Sequence, residues 1–133
     1  MPLFTWEDRF SVGSPTMDGH HKKLFEIINR MNEAMKEGEA SDRIRGLISE
    51  LLDYTVYHFS EEEKLMEQNG YAGLAEQKRA HKIFIDKIKE YKDEAEGDMA
   101  IFVVSKVSTT GMEWLKDHIL VLDKKYENTL TGL

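Results

Sequence analysis

Four stretches of this chain repeat apolar residues at helical spacing, and short breaks carrying glycine separate them. Leu24, Ile27, Ile28, Met31 and Met35 mark the first, which stops near Gly38. The second carries Ile44, Leu47, Ile48, Leu51, Leu52, Phe59, Leu65 and Met66, and ends at Asn69-Gly70. Leu74, Phe84, Ile85, Ile88 and Tyr91 share one side of the third, which stops at Gly97; Trp114, Leu115, Val121 and Leu122 mark the fourth. A stripe of period 3.6 buries one face of a helix. The spacing predicts helices over about residues 18–37, 41–68, 72–96 and 98–129, with Asp18 capping the first and Ser41 or Asp42 the second. Short links between long helices make neighbours antiparallel. The expected fold is therefore all-α, an up-down-up-down four-helix bundle. Residues 1–17, with both prolines and the aromatics Trp6 and Phe10, read as an extended N-terminal arm, and residues 1–133 as one domain.

What the stripes contain is less ordinary than their spacing. His58 and Glu62 stand i, i+4, so a helix sets them one above the other, and both fall inside the apolar stripe of the second helix. A carboxylate there costs several kcal/mol unless it is paired or binds a metal. Gln77 and His81 repeat the i, i+4 spacing in the third stripe, and His118 lies in the fourth. At the edge of the first stripe the wheel does not separate His20 from His21. A single core histidine is usually just a hydrogen-bonded core residue. Several core-facing imidazoles with a carboxylate, on different helices, point instead to a metal.

Composition narrows the metal and the class. The 133 residues include no cysteine, which excludes disulfides, iron–sulfur clusters and thiolate sites. Imidazole with carboxylate suits iron, manganese or zinc, and the spacing leaves the number of ions open. A net charge of −7 argues against a nucleic-acid surface. No apolar run approaches the roughly 20 residues of a membrane span. The start of the chain lacks the basic and apolar segments of a signal peptide, so a soluble cytoplasmic protein is expected. Glu61 and Glu63 point away from the stripe and read as solvated. Tyr54, Tyr57 and Tyr126 can touch the core but nothing marks them as redox-active, and Met31, Met35, Met66 and Met112 read as packing.

Motifs carry the reading further. The arm with Trp6 and Phe10 precedes Met17-Asp18-Gly19-His20-His21-Lys22-Lys23-Leu24, similar to the pattern I-D-x-Q-H-K-x-L. His58-Phe59-Ser60-Glu61-Glu62-Glu63 matches H-F-x-x-E-E, and Trp114-Leu115-Lys116-Asp117-His118-Ile119 through Asp123 matches W-L-x-x-H-I-x-x-x-D. Over nearly its whole length the chain resembles a bacterial hemerythrin. The resemblance implies a non-haem centre of two iron ions with an oxo or hydroxo bridge, reversibly binding O2. By position, it gives His21 and His58 to one iron, His81 and His118 to the other, and Glu62 and Asp123 to both. Leu115 and Ile119 become candidates to line the O2 pocket, with core packing as the alternative.

Two positions depart from the family. Its third-helix pattern H-K-x-x-H reads here Gln77-Lys78-Arg79-Ala80-His81, so one imidazole is replaced by Gln77, a candidate further ligand. The family's glutamine before the first ligand is His20. Asp123 adds a geometric demand, because five residues after His118 is about 140° round a straight helix. It joins the site only if the helix departs from α geometry, as in a π-bulge, or if the side chain reaches round. The implied role is O2 carriage, storage or sensing, with a di-iron redox enzyme acting on peroxide or nitric oxide as the alternative and a metal-free helical interaction domain as a third class. Its expected partner is O2, another small diatomic or peroxide, with no nucleic acid, no membrane and no identified protein partner. No residue is assigned a catalytic role.

Overall fold

A computed structural model describes residues 4–97 and 100–133. Its helices are α1 (Pro15–Lys36), α2 (Ser41–Gln68), α3 (Leu74–Ala95), α4 (Ala100–Val121) and the short α5 (Glu127–Leu130), with 3-10 turns at Asp8–Phe10 and Asp123–Tyr126. Each long helix packs on the next and α4 packs back on α1, closing a four-helix bundle. Two links close the same way. Gly38 and Gly70 take φ of 66° and 68°, and the amides of Glu39 and Tyr71 reach back to the carbonyls of Ala34 and Met66. This left-handed closure is one glycine adopts without steric cost.

Helix starts differ from expectation. Helix α1 begins three residues before Asp18, because Pro15 is preset for the first helical position and Ser14 Oγ accepts from the amide of Met17. Asp18 instead accepts from Ser11 Oγ at 2.6 Å and the amide of Val12 at 2.9 Å, tying the arm to the helix. Neither Ser41 nor Asp42 caps α2; Ala40 holds that place with no side-chain bond. The expected start of the fourth helix at Asp98 lies outside the described residues. Its expected end at residue 129 is corrected to Val121, where the chain passes into the 3-10 turn.

The ends of the chain hold one another. Phe4 stacks on Phe25 at 3.6 Å, and Asn29 bonds both the amide and the carbonyl of Phe4. The arm is thus a docked segment with a 3-10 turn, not a uniformly extended one. Gly132 donates to the carbonyl of Gly13 and Thr16 to that of Leu133, while Tyr126 and Leu130 are buried. These anchors fold the last residues under the bundle and bring Asp123 inward. Among the described residues, no helix is long and apolar enough to cross a membrane.

Candidate metal centre

The polar residues that the stripes placed toward the core, His58, Glu62, Gln77, His81 and His118, are buried, and so are His21 and Asp123, while His20 is half-buried. They come from all four long helices and the turn after α4. Glu62 lies at their middle. Its Oε2 is 3.4 Å from His21 Nε2 and 3.5 Å from His58 Nε2, while its Oε1 is 3.0 Å from His81 Nε2. Asp123 divides its oxygens in the same sense, with Oδ2 3.2 Å from His21 Nε2 and Oδ1 3.1 Å from His118 Nε2. Donor atoms of Glu62, His81, His118 and Asp123 lie within 4.8 Å of one another, as do those of His21, His58 and Glu62.

The surroundings fix the imidazoles. Phe59 stacks on His81 at 3.8 Å with a 2° tilt, and Trp114 stacks on His118 at 4.5 Å. His58 Nδ1 meets His20 Nδ1 at 2.9 Å, and His81 Nδ1 donates to Glu63 Oε2 at 2.8 Å. A histidine that offered Nε2 to a metal would carry its proton on Nδ1, in which case His58 would donate and His20 accept. His20 therefore belongs to the His58 side of the cluster. Glu63 is corrected from a solvated residue to the outer partner of His81, reached because α3 packs on α2. Among the described residues, Glu61 pairs only with the exposed Lys64.

Tyr126 was not marked by any pattern. Its hydroxyl donates to Glu62 Oε2 at 2.7 Å from a fully buried position. Its place three residues beyond Asp123, on the same short turn, is the signal that could have found it. Gln77 Nε2 donates to Asp123 Oδ1 at 2.9 Å. The helix departs from α geometry only at Asp123: the amide of Leu122 still bonds the carbonyl of His118, and a tightened 3-10 turn, not a widened π-bulge, then runs Asp123–Tyr126. Leu115 and Ile119 are buried beside His118 on α4. The cleft of about 300 Å³ that opens against His118 has other walls: Ala80, Trp114, Asp117, Val121 and Leu122.

The donor set fits a metal on its own terms. Both nitrogens of His21, His58 Nε2, Glu62 Oε1 and Asp123 Oδ2 are buried without a hydrogen-bond partner. His81 Nε2 and His118 Nε2 point at each other across 3.2 Å. Converging lone pairs of this kind are stable only around protons or a cation. With protons alone, burial disfavours charge on His21, but the carboxylates of Asp123 and Glu62, 3.2 and 3.4 Å away, outweigh it and lift the imidazole to about 9. His81 moves up likewise against its burial, held by Glu62 and Glu63. Burial pushes His58 down despite Glu62. Against burial, the imidazoles hold Glu62 well below the ordinary carboxylate range and Asp123 below its own. Burial and the two carboxylates drive Tyr126 well above the usual phenol, so it stays a donor.

Residues 12–130 match the family model described as the hemerythrin HHE cation binding domain. A bacteriohemerythrin of Clostridium acetobutylicum is 35% identical over 135 residues, covering 93% of this chain and 98% of that one. A myohemerythrin of Riftia pachyptila is 31% identical, covering 96% and 93%. A crystal structure of a leucine-to-alanine variant of hemerythrin superposes with a TM-score of 0.88 at 26% identity, over 99% of this chain and 100% of that one.

Proposed function

This chain belongs to the hemerythrin family, and from that premise we propose that it holds two non-haem iron ions and binds O2 reversibly between its helices. One observation carries the reading: Glu62 and Asp123 each turn one oxygen toward His21 and the other toward the His81–His118 pair. A carboxylate that divides its oxygens in this way suits two ions side by side better than one. His21 and His58 would hold the first, and His81 and His118 the second. Irons held there would supply the redox chemistry that reversible O2 binding needs.

The protein's own part is positioning and exclusion of water. Stacking on Phe59 and Trp114 holds His81 and His118 at fixed tilt. His20 and Glu63 set the tautomers of His58 and His81, so that each presents a lone pair inward. Tyr126 fixes the rotation of Glu62 and keeps its proton because burial and the carboxylates oppose ionisation. Leu115 and Ile119, buried beside His118, belong to the dry wall that would shield a bound ligand.

The hydroxyl of Tyr126 can be tested alone. Tyr126→Phe keeps the buried ring and removes one bond to Glu62, so iron affinity should fall about 10–100-fold, the range for outer-shell partners, while the bundle stays folded. Competition with a chelator measures it, and unchanged retention would make Tyr126 a packing residue only. The function itself is read from the absorption spectrum after iron loading, in air and again under argon. Bands that appear with air and vanish on purging support reversible O2 binding. Irreversible bleaching would favour a redox enzyme acting on peroxide or nitric oxide, a reading that the replacement of an imidazole by Gln77 keeps in view. No absorption beyond the aromatic bands would refute both.

A further inference from the structure

Gln77 is fully buried and faces the centre from the position where its helix could have offered another imidazole, one turn before His81. Its amide nitrogen donates to Asp123 Oδ1 at 2.9 Å, the same oxygen that lies 3.1 Å from His118 Nε2. The amide is thereby held as a donor to a carboxylate, and its Oε1 is left without a partner. A neutral amide oxygen is also a weak ligand beside imidazole. Around His81 and His118 the donors are two imidazoles and one oxygen from each of Glu62 and Asp123; around His21 and His58, Glu62 completes a group of three, with Asp123 Oδ2 3.2 Å from His21 Nε2. Four protein donors on the second side would leave a six-coordinate ion there incomplete.

The second side also lies next to the surface, at His118. A surface cleft of about 300 Å³ between α3 and α4 ends on His118, walled by Ala80, Trp114, Val121 and Leu122. Asp117, an exposed residue of that cleft, sets a negative charge beside His118, and the chain as a whole carries −7. Such a cleft disfavours anions and is indifferent to neutral diatomics. We infer that the position beside Gln77 on the His81–His118 side is a second ligand site of the centre, and that it takes a neutral diatomic molecule such as nitric oxide. The protein then binds two diatomics per centre, one on each ion.

This inference rests on the di-iron reading, and one experiment separates the two. The iron(II)-loaded protein is first assayed for iron by elemental analysis and then titrated with nitric oxide under anaerobic conditions, with Mössbauer spectroscopy counting the iron that changes. The expected result is change at both irons in the native protein and at one only in Gln77→His, where an imidazole fills the position. Gln77→Glu, nearly identical in shape and anionic, should also return one, which guards against a folding defect in the histidine variant. Change at a single iron in the native protein, or at both irons in the variants too, overturns the second site while leaving the di-iron reading intact. Fewer than two irons before titration removes that reading and the inference with it.

Discussion

Glu62→Ala is expected to strip the protein of iron. No other side chain touches so much of the centre: its oxygens approach His21, His58 and His81, and Tyr126 donates to it. Removing an outer partner of a metal ligand costs about 10–100-fold in affinity, and removing a carboxylate shared by both ions should exceed that range. The variant also leaves a buried hydroxyl and imidazoles without their counter-charge. Breaking a buried pair from one side typically costs about 3–5 kcal/mol, so the metal-depleted variant should unfold at clearly lower urea. The neighbouring acids calibrate the effect. Glu61→Ala loses only an exposed contact with Lys64 and should be near neutral, whereas Glu63→Ala frees the outer nitrogen of His81 and should fall between. Iron per chain after desalting decides the order, and equal retention in all three variants would remove Glu62 from the centre.

Withdrawing the metal should make stability depend on pH. His21 has a folded value of about 9 against an ordinary 6.5, so its contribution is full below 6.5 and disappears as pH rises through about 9. His81 is raised too and acts in the same sense. Glu62 and Asp123 are lowered, so their contribution is present above their ordinary 4.5 and 3.8 and is lost as acid protonates them. His58, lowered by burial, works against its neighbours and removes some stability below 6.5. The metal-depleted protein should therefore be most stable between 4.5 and 6.5 and weaken from there toward 9. Bound iron requires neutral imidazoles, so loading at neutral pH should release protons and flatten the alkaline limb. Urea midpoints at about pH 6 and about pH 9.5, with and without iron, check the sign. A metal-depleted protein that gains stability on the way to the higher pH would contradict it.

The stripes that announce the helices also announce most of the polar cluster, because burial and periodicity are one signal. His58, Glu62, His81 and His118 fall inside apolar stripes, and the folded chain brings them together. What spacing could not carry was anything set by a neighbouring helix. The wheel left His20 and His21 unresolved; the fold buries His21 and leaves His20 half-buried on the outer nitrogen of His58. Glu63 points off the stripe of α2 but meets His81 because α3 comes alongside. Asp123 shows the limit from another side. Its spacing left open a break in the helix or a side chain reaching round, and the tightened turn that is found goes with the burial of Tyr126 and Leu130 beyond it. The start of α1 was local and still misjudged, since Ser14 and Pro15 together outcompete Asp18.

The central claim is that two ions share Glu62 and Asp123, and locating iron in crystals of the loaded protein tests it most directly. Anomalous difference maps recorded on either side of the iron absorption edge should show two peaks, one beside His21 and His58 and one beside His81 and His118, with both carboxylates between them. A single peak, or iron bound away from Glu62, would contradict the account.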